Sequence, residues 1–218
     1  MRIQRLDDEG MCPVLRASVA GYRHHVFVES LRWDLPCIAG FEQDEFDRAG
    51  ATHLVACDDR HRVVGYARLL PTTAPYLLAT HFPHLLGGQP APCSPAVWEL
   101  SRFTSAPGPH AEGGERSPGA QTRIGKQLLL EAVSYVQGRG CHDLVFCTNV
   151  AIERLAHRWG VEIRRLGAPQ RSPAGLLVAA MIRCSARTIA ALASDAFERA
   201  PRAVAEKAVA RAELAVAD

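Results

Sequence analysis

An α/β sandwich around a mixed sheet is the fold the sequence predicts, on three observations. Runs rich in β-branched and aromatic residues alternate with apolar stripes at helical spacing. From residue 97 onward their order is strand, helix, strand, helix, after an N-terminal helix and a hairpin, and that order builds a sheet covered by helices. At 218 residues and 48% hydrophobic content the chain can bury one sizeable core. The reading is one domain over residues 1–185 and an Ala-rich helical tail over 186–218, broken at Pro201 and weakly anchored.

Residues 14–31 place Leu15, Val19, Tyr22, Val26 and Phe27 at near-helical spacing, with Arg23 and Phe27 four apart as neighbours. The segment RWDLPCIAGFEQDEFDRAG has loop composition and gathers Glu42, Asp44, Glu45 and Asp47, as a solvated loop or as the wall of a cation site. ATHLVACDD and RHRVVGYARLLPT read as a hairpin, with Val64, Tyr66, Arg68 and Leu70 on one face of its second strand. An arginine in the middle of such a strand is an edge residue or is held by a buried carboxylate. In LPTTAPYLL, Pro71 and Pro75 bracket a turn ahead of Phe82. Residues 105–120, with four Gly and three Pro, are expected to be a mobile loop. Residues 121–138 carry a stripe of Ile124, Leu128, Leu129, Ala132, Val133 and Val136. LVFCTN is a short buried strand, residues 151–159 a helix and 176–182 a further strand, with Gly138, Gly140 and Gly160 at helix C-caps.

The reading centres on VWELSRFT, residues 97–104. As a strand it sends Val97, Glu99, Ser101 and Phe103 to one face and Trp98, Leu100 and Arg102 to the other. A carboxylate and a hydroxyl two residues apart in an otherwise apolar strand are costly to bury, unless backbone groups satisfy them or they carry chemistry.

A net charge of +2 gives no global signal for nucleic acid or a membrane surface, so an acidic partner must be met by a local patch. The seven cysteines form no CxxC pair and their count is odd, which argues against a disulfide scaffold and a zinc site and for reduced thiols in the cytoplasm. The start, MRIQRLDDEG, is too acidic for a signal peptide, and no run reaches the ~20 apolar residues of a membrane span.

Four pieces carry a family resemblance: YRHHVFVESLRWDLP, EQDEFD, GYARLLPTTAPYLL with Phe82 downstream, and WELSRF. In this order and spacing they resemble the acyl-homoserine-lactone synthases, the autoinducer synthases of bacterial quorum sensing. The likeness covers most of residues 22–103 and is looser from 121 onward. It implies a three-layer α/β sandwich with a mixed, largely antiparallel central sheet, similar to the GCN5-related N-acetyltransferases. It also implies an acyltransferase whose substrate, not cofactor, is S-adenosylmethionine. The amino group attacks an acyl thioester carried on acyl carrier protein or coenzyme A. The methionine carboxylate then closes the lactone and expels methylthioadenosine. No metal or cofactor is implied.

On that resemblance Glu99 takes the amine proton, directly or through a water, with Ser101 positioning the amine or the water. Asp44 and Asp47 suit the cationic groups, Arg23 or Arg102 the carboxylate, and Phe27 and Trp33 the adenosine and sulfonium, with Phe82 nearby. Arg68 and Arg102 match arginines of the family, and one of them is expected to hold the loop acids. Backbone N–H groups splayed at a bulge of the central strand would meet the oxyanion. The acyl pocket is assigned to Trp98, Leu100, Phe103, Phe146 and Thr148, between the central strand and LVFCTN; in relatives a threonine near this place goes with 3-oxo chains. Arg123, Lys126, Arg154 and Arg158, with His157, Arg164 and Arg165, offer a basic face to an acidic carrier protein. TRIGKQ keeps Gly125 of the acetyltransferase pyrophosphate loop but has Thr122 and Gln127 at its other positions. Two rivals remain: a coenzyme A dependent N-acetyltransferase, and a non-catalytic ligand-binding module. A Glu99 sealed against an arginine, with no opening beside it, would end the catalytic reading.

Overall fold

The computed structural model describes residues 1–111, 116–173 and 175–194. Strand β1 (Arg2–Asp7) leads into α1 (Pro13–Arg23), which continues as a π-helical stretch over His24–Ser30. A small hairpin, β2 (Cys37–Ile38) and β3 (Phe41–Glu42), precedes the long one, β4 (Thr52–Cys57) and β5 (Val63–Pro71). Helix α2 (Leu77–His81) and a 3-10 turn at Pro83–Leu86 lead to β6 (Val97–Thr104). The chain then runs through α3 (Pro118–Gly138), β7 (Asp143–Asn149), α4 (Val150–Arg158), β8 (Ile163–Arg165), β9 (Gln170–Ser172), β10 (Gly175–Arg183) and α5 (Ala186–Ala193).

The sheet order is β1-β4-β5-β6-β7-β10-β8, with β9 also on β10, and every pair is antiparallel except β6 with β7. Helices cover both faces, as the family resemblance implied. On one, Leu54, Leu69, Leu100 and Leu144 pack with Leu128, Ala132 and Val136 of α3 and with Trp159 and Leu192. On the other, Val55 and Tyr66 meet Val19 and Tyr22 of α1, and Leu70, Val145 and Met181 meet Leu78, Leu85 and Leu86. Each fully buried aliphatic side chain contributes about 1.5–3 kcal/mol. Gly65 lets α3 come this close, because a Cβ there would stand 2.7 Å from Ile124 and 2.8 Å from Leu128.

Local chemistry fixes the ends of the helices. Ser117 accepts from the Ala120 amide and Pro118 opens α3, three residues ahead of the predicted start. Asn149 accepts from the Ile152 amide and opens α4. Gly140 and Gly160 have the positive φ of a helix stop, whereas Gly138 stays inside α3.

Several expectations change. Val64 leaves the face of Tyr66, Arg68 and Leu70, because a bulge opposite Ala56 and Cys57 turns it toward the α3 side. The N-terminus forms a strand that its alternating charges concealed. The start of the tail is anchored: α5 buries Leu192 against the α3 core. The break at Pro201 lies outside the described residues, as do residues 112–115 of the loop expected to be mobile. The flanks of that loop are tied down, with Tyr22 Oη donating to the Ala106 carbonyl (2.7 Å) and Arg62 Nη1 to that of His110 (2.6 Å).

Candidate active site

The central strand opens the sheet. The parallel ladder between β6 and β7 runs only from the Val97–Asp143 pair to the Glu99–Val145 pair, although both strands continue. Beyond Glu99 the two strands no longer pair, and the interval between Leu100–Thr104 and Phe146–Asn149 is the slot on which the site is centred. Glu99 stands at the root of this slot, 1% exposed.

Its partners are not side chains. The Leu77 amide donates to Glu99 Oε2 (3.0 Å) and the Leu78 amide to Oε1 (2.6 Å). Helix α2 has no acidic residue in its first turn, so a carboxylate from a distant strand meets its free N–H groups. Burial pushes the Glu99 carboxyl up to about 7, against the pull of those amides and of Arg68. It is therefore held by amides rather than by an arginine, at the point where the β6–β7 ladder ends, and near neutral pH it can give or take a proton. Ser101, two residues on, accepts a hydrogen bond from Arg68 Nε (3.1 Å).

Beside it lies a buried cluster of three arginines and three carboxylates. Arg68 holds Asp44 with both terminal nitrogens (2.5 and 3.0 Å) and also reaches Asp47 (2.8 Å). Arg23 Nη1 donates to both Asp47 oxygens (2.8 and 2.9 Å), and Arg23 Nε donates to Glu42. Arg102 Nη2 lies 2.9 Å from both Glu42 and Asp44. Burial alone would raise Asp44 and Asp47, but Arg68 and, for Asp47, Arg23 outweigh it and hold both carboxyls below the ordinary range. Arg23 Nη2 is buried without a hydrogen-bond partner, 3.9 Å from Asp44.

The alternation expected along β6 fails here because backbone irregularity changes which way side chains point. Arg102, expected opposite Glu99 and Ser101, has φ 52° in a bulge of β6 and swings into the cluster, while Phe103 packs toward α3. The bulge itself was expected. The Arg102 guanidinium sits 5.7 Å from the Phe27 ring, and Trp33 stacks on its outer side at 5.1 Å. Arg23, Phe27, Trp33, Asp44, Asp47, Arg68 and Arg102 thus come together through direct contacts. Phe82 does not join them; it packs with the α2 side of the core, 6.2 Å from His84. Glu42, which bridges Arg23 and Arg102, was visible in sequence only as one acid of a loop.

Leu100, Phe103 and Phe146 flank the slot on the α3 face. Trp98 lies below it, edge-on to Tyr135 where the ladder is still closed, and Thr148 is half-buried at its open end. Of the basic residues, Arg123, Arg154, His157, Arg158, Arg164 and Arg165 are exposed. Lys126 donates to the Ser194 carbonyl, Arg164 reaches Met181 and Arg165 clasps Glu153. Gly125 is explained by packing, since a Cβ there would meet Ser105 Oγ at 3.1 Å and Trp159 at 3.3 Å. Among the described residues no three metal-ligating side chains converge, no helix is long and apolar enough to cross a membrane, and the seven cysteines are free thiols.

Comparison with known proteins places the chain in a family. The family described as autoinducer synthase matches residues 15–192. An acyl-homoserine-lactone synthase of Ralstonia solanacearum is 42% identical over 188 residues, 85% of this chain and 90% of that protein. The crystal structure of TofI in a ternary complex with an inhibitor and MTA superposes with a TM-score of 0.75 at 36% identity, covering 89% of this chain and 98% of that one. BjaI, described as a CoA-dependent acyl-homoserine lactone synthase with SAM and isopentyl-CoA, gives 0.76 at 26%, covering 97% and 98%. The fold alone is shared with a putative N-acetyltransferase from Lactobacillus plantarum, TM-score 0.54 at 15% identity over 85% of this chain and all of that one. Matched along most of its length in sequence and in structure, the chain belongs to the autoinducer synthase family of enzymes.

Proposed function

We propose that this enzyme joins the amino group of S-adenosylmethionine to an acyl chain delivered as a thioester, then closes the product to an N-acyl-homoserine lactone with release of methylthioadenosine. The observation that carries this reading is a carboxyl poised near neutrality where the central sheet splits. Glu99 takes one proton from the substrate ammonium, directly or through a water, and the neutral amine attacks the thioester carbonyl. Backbone N–H groups freed by the splay and the bulge are suited to the oxyanion. As the carbon–sulfur bond breaks, the departing thiolate takes the second amine proton. The methionine carboxylate then displaces the sulfonium at its own γ-carbon.

The charge cluster suits such a ligand, because S-adenosylmethionine brings both signs of charge and the cluster offers both. Phe27 and Trp33 present a ring stack to the adenosine and sulfonium. The slot joins the two faces of the sheet. In this reading the amine comes from the side of Glu99, and the acyl tail lies on the α3 side beside Leu100, Phe103 and Phe146. For the donor we favour acyl carrier protein, with Arg123, Arg154, His157 and Arg158 as its basic landing face. The packing role of Gly125 removes one reason to expect a coenzyme A pyrophosphate there.

The test is mass spectrometry of products from methionine-labelled S-adenosylmethionine with one acyl chain carried either on acyl carrier protein or on coenzyme A. Labelled lactone and equimolar methylthioadenosine are expected, faster from the carrier protein. Faster turnover from coenzyme A would reverse the donor assignment. Acylation of another amine with S-adenosylmethionine untouched would replace the reading with an N-acetyltransferase, and binding without turnover with a non-catalytic module.

A further inference from the structure

Behind the charge cluster, on the side away from the slot, lies a second polar group that the mechanism above does not use. His53 is 2% exposed and is the cross-strand partner of Arg68. A hydrogen bond of 2.6 Å joins its Nδ1 to the hydroxyl of Tyr66, which is fully buried. The Tyr66 ring in turn lies beneath the Arg23 guanidinium, 5.4 Å from its centre. His53 and Tyr66 line a small cavity, on the order of one water molecule in size, together with Arg16, Arg23, Gln43 and Asp47. His53 Nε2 has no hydrogen-bond partner and lies 3.3 Å from Asp8, which also takes Arg16.

Arg23 needs such a floor. Its Nε and Nη1 are committed to Glu42 and Asp47 but Nη2 has no hydrogen-bond partner, so the guanidinium can still tilt about that edge unless something lies under it. A tyrosine ring free to tilt would let that plane rotate, and both carboxylates would follow. A buried imidazole on the tyrosine hydroxyl removes that freedom. Burial lowers the His53 pKa, and Asp47 and Asp8 oppose that shift while Arg68 and Arg23 add to it, which disfavours one more cation beside the arginines.

We infer that His53, acting through Tyr66, is a positioning residue for the S-adenosylmethionine site: it fixes the Arg23–Asp47 arm against which that substrate is held. The inference rests on the substrate reading above. It is tested with His53→Phe, His53→Asn and Tyr66→Phe, comparing KM for S-adenosylmethionine, KM for the acyl donor and kcat. An asparagine amide reaches the position of Nδ1 and keeps the bond to Tyr66; phenylalanine cannot.

His53→Phe and Tyr66→Phe are expected to raise KM for S-adenosylmethionine about tenfold, the worth of one net hydrogen bond, with kcat and the acyl-donor KM nearly unchanged. His53→Asn should recover most of that loss. An unchanged KM in His53→Phe, or loss of kcat and both KM values without rescue by asparagine, overturns the assignment. Crystal structures of wild type and Tyr66→Phe give a readout that needs no turnover. Arg23 must leave its place over the ring in the variant, and identical Arg23–Asp47 geometry overturns the inference. A wild-type protein that leaves S-adenosylmethionine untouched defeats the substrate reading instead.

Discussion

Two sets of buried carboxylates lie side by side in this molecule and are held in opposite ways. Glu99 is met by backbone amides of a five-residue helix and has no ion pair, so burial dominates and its carboxyl rises to about 7. The side chains of Asp44 and Asp47 are only 4% and 6% exposed, a little more than Glu99, yet each meets at least two arginines and its carboxyl is held below the ordinary range. The difference teaches that the partner, more than the depth of burial, decides whether a carboxylate handles protons or holds charge. The two groups should therefore respond differently to mutation and to pH.

The largest effect is expected at Glu99. Glu99→Gln keeps the shape but removes the proton acceptor, and kcat/KM should fall by about 10²–10⁴. Its NH2 faces one of the two amides that the carboxylate accepted from, so stability should fall by about 1–3 kcal/mol with the fold retained. The wild-type rate should rise with pH and level off above about 7, and the residual rate of the variant should lack that inflection. The sign for stability is opposite to that of an ion-paired acid. Between the ordinary value of 4.5 and about 7, the native state keeps a proton that the unfolded chain has released, so ionisation of Glu99 removes stability as pH rises. Asp44 and Asp47, lowered from 3.8, contribute stability that is present above that value and lost on acidification. Denaturation midpoints of wild type and Glu99→Gln across this range decide the matter, and parallel curves would show that Glu99 does not titrate there.

Next in size is the cluster itself. Arg68→Ala strands Asp44 and Asp47 with fewer cations in a buried site, and such a change costs about 3–5 kcal/mol. Here stability and activity should fall together, as read from urea midpoints alongside turnover. A loss under 1 kcal/mol would mean that water or Arg23 and Arg102 reorganise to replace it.

The same contrast accounts for what could be read in the sequence. Long periodic elements and the β4–β5 hairpin were legible because apolar spacing alone sets them. The acids of residues 42–47 and the arginines were legible as charges that had to meet, since neither set tolerates burial alone. The partner of Glu99 was not, because backbone amides have no side-chain signature and five residues of α2 are too few for a helical period. Nor was the direction of Arg102, since one residue in the left-handed region reverses an alternation that holds elsewhere in the strand. The edge strand β1, with charges at Arg2, Arg5 and Asp7, escaped for the reason edge strands are charged at all.

The smallest expected effect lies across the slot from Glu99, on the side where no charge is involved. Phe146 is buried on the α3 face, just past the last residue of β7 that pairs with β6, where the reading above places the acyl tail. Phe146→Leu should cost stability by only about 1 kcal/mol, because the neighbouring core can partly close around a smaller apolar side chain. What remains open adjoins the slot. The ratio of kcat/KM for longer over shorter acyl donors should therefore rise severalfold, one extra methylene in an apolar pocket being worth about 1–3 kcal/mol at most. KM for S-adenosylmethionine should not move, since the proposed function places that substrate on the other face. A change in S-adenosylmethionine KM with an unchanged chain-length profile would put the acyl tail on the wrong side of the sheet, and with it the division of labour between the two faces.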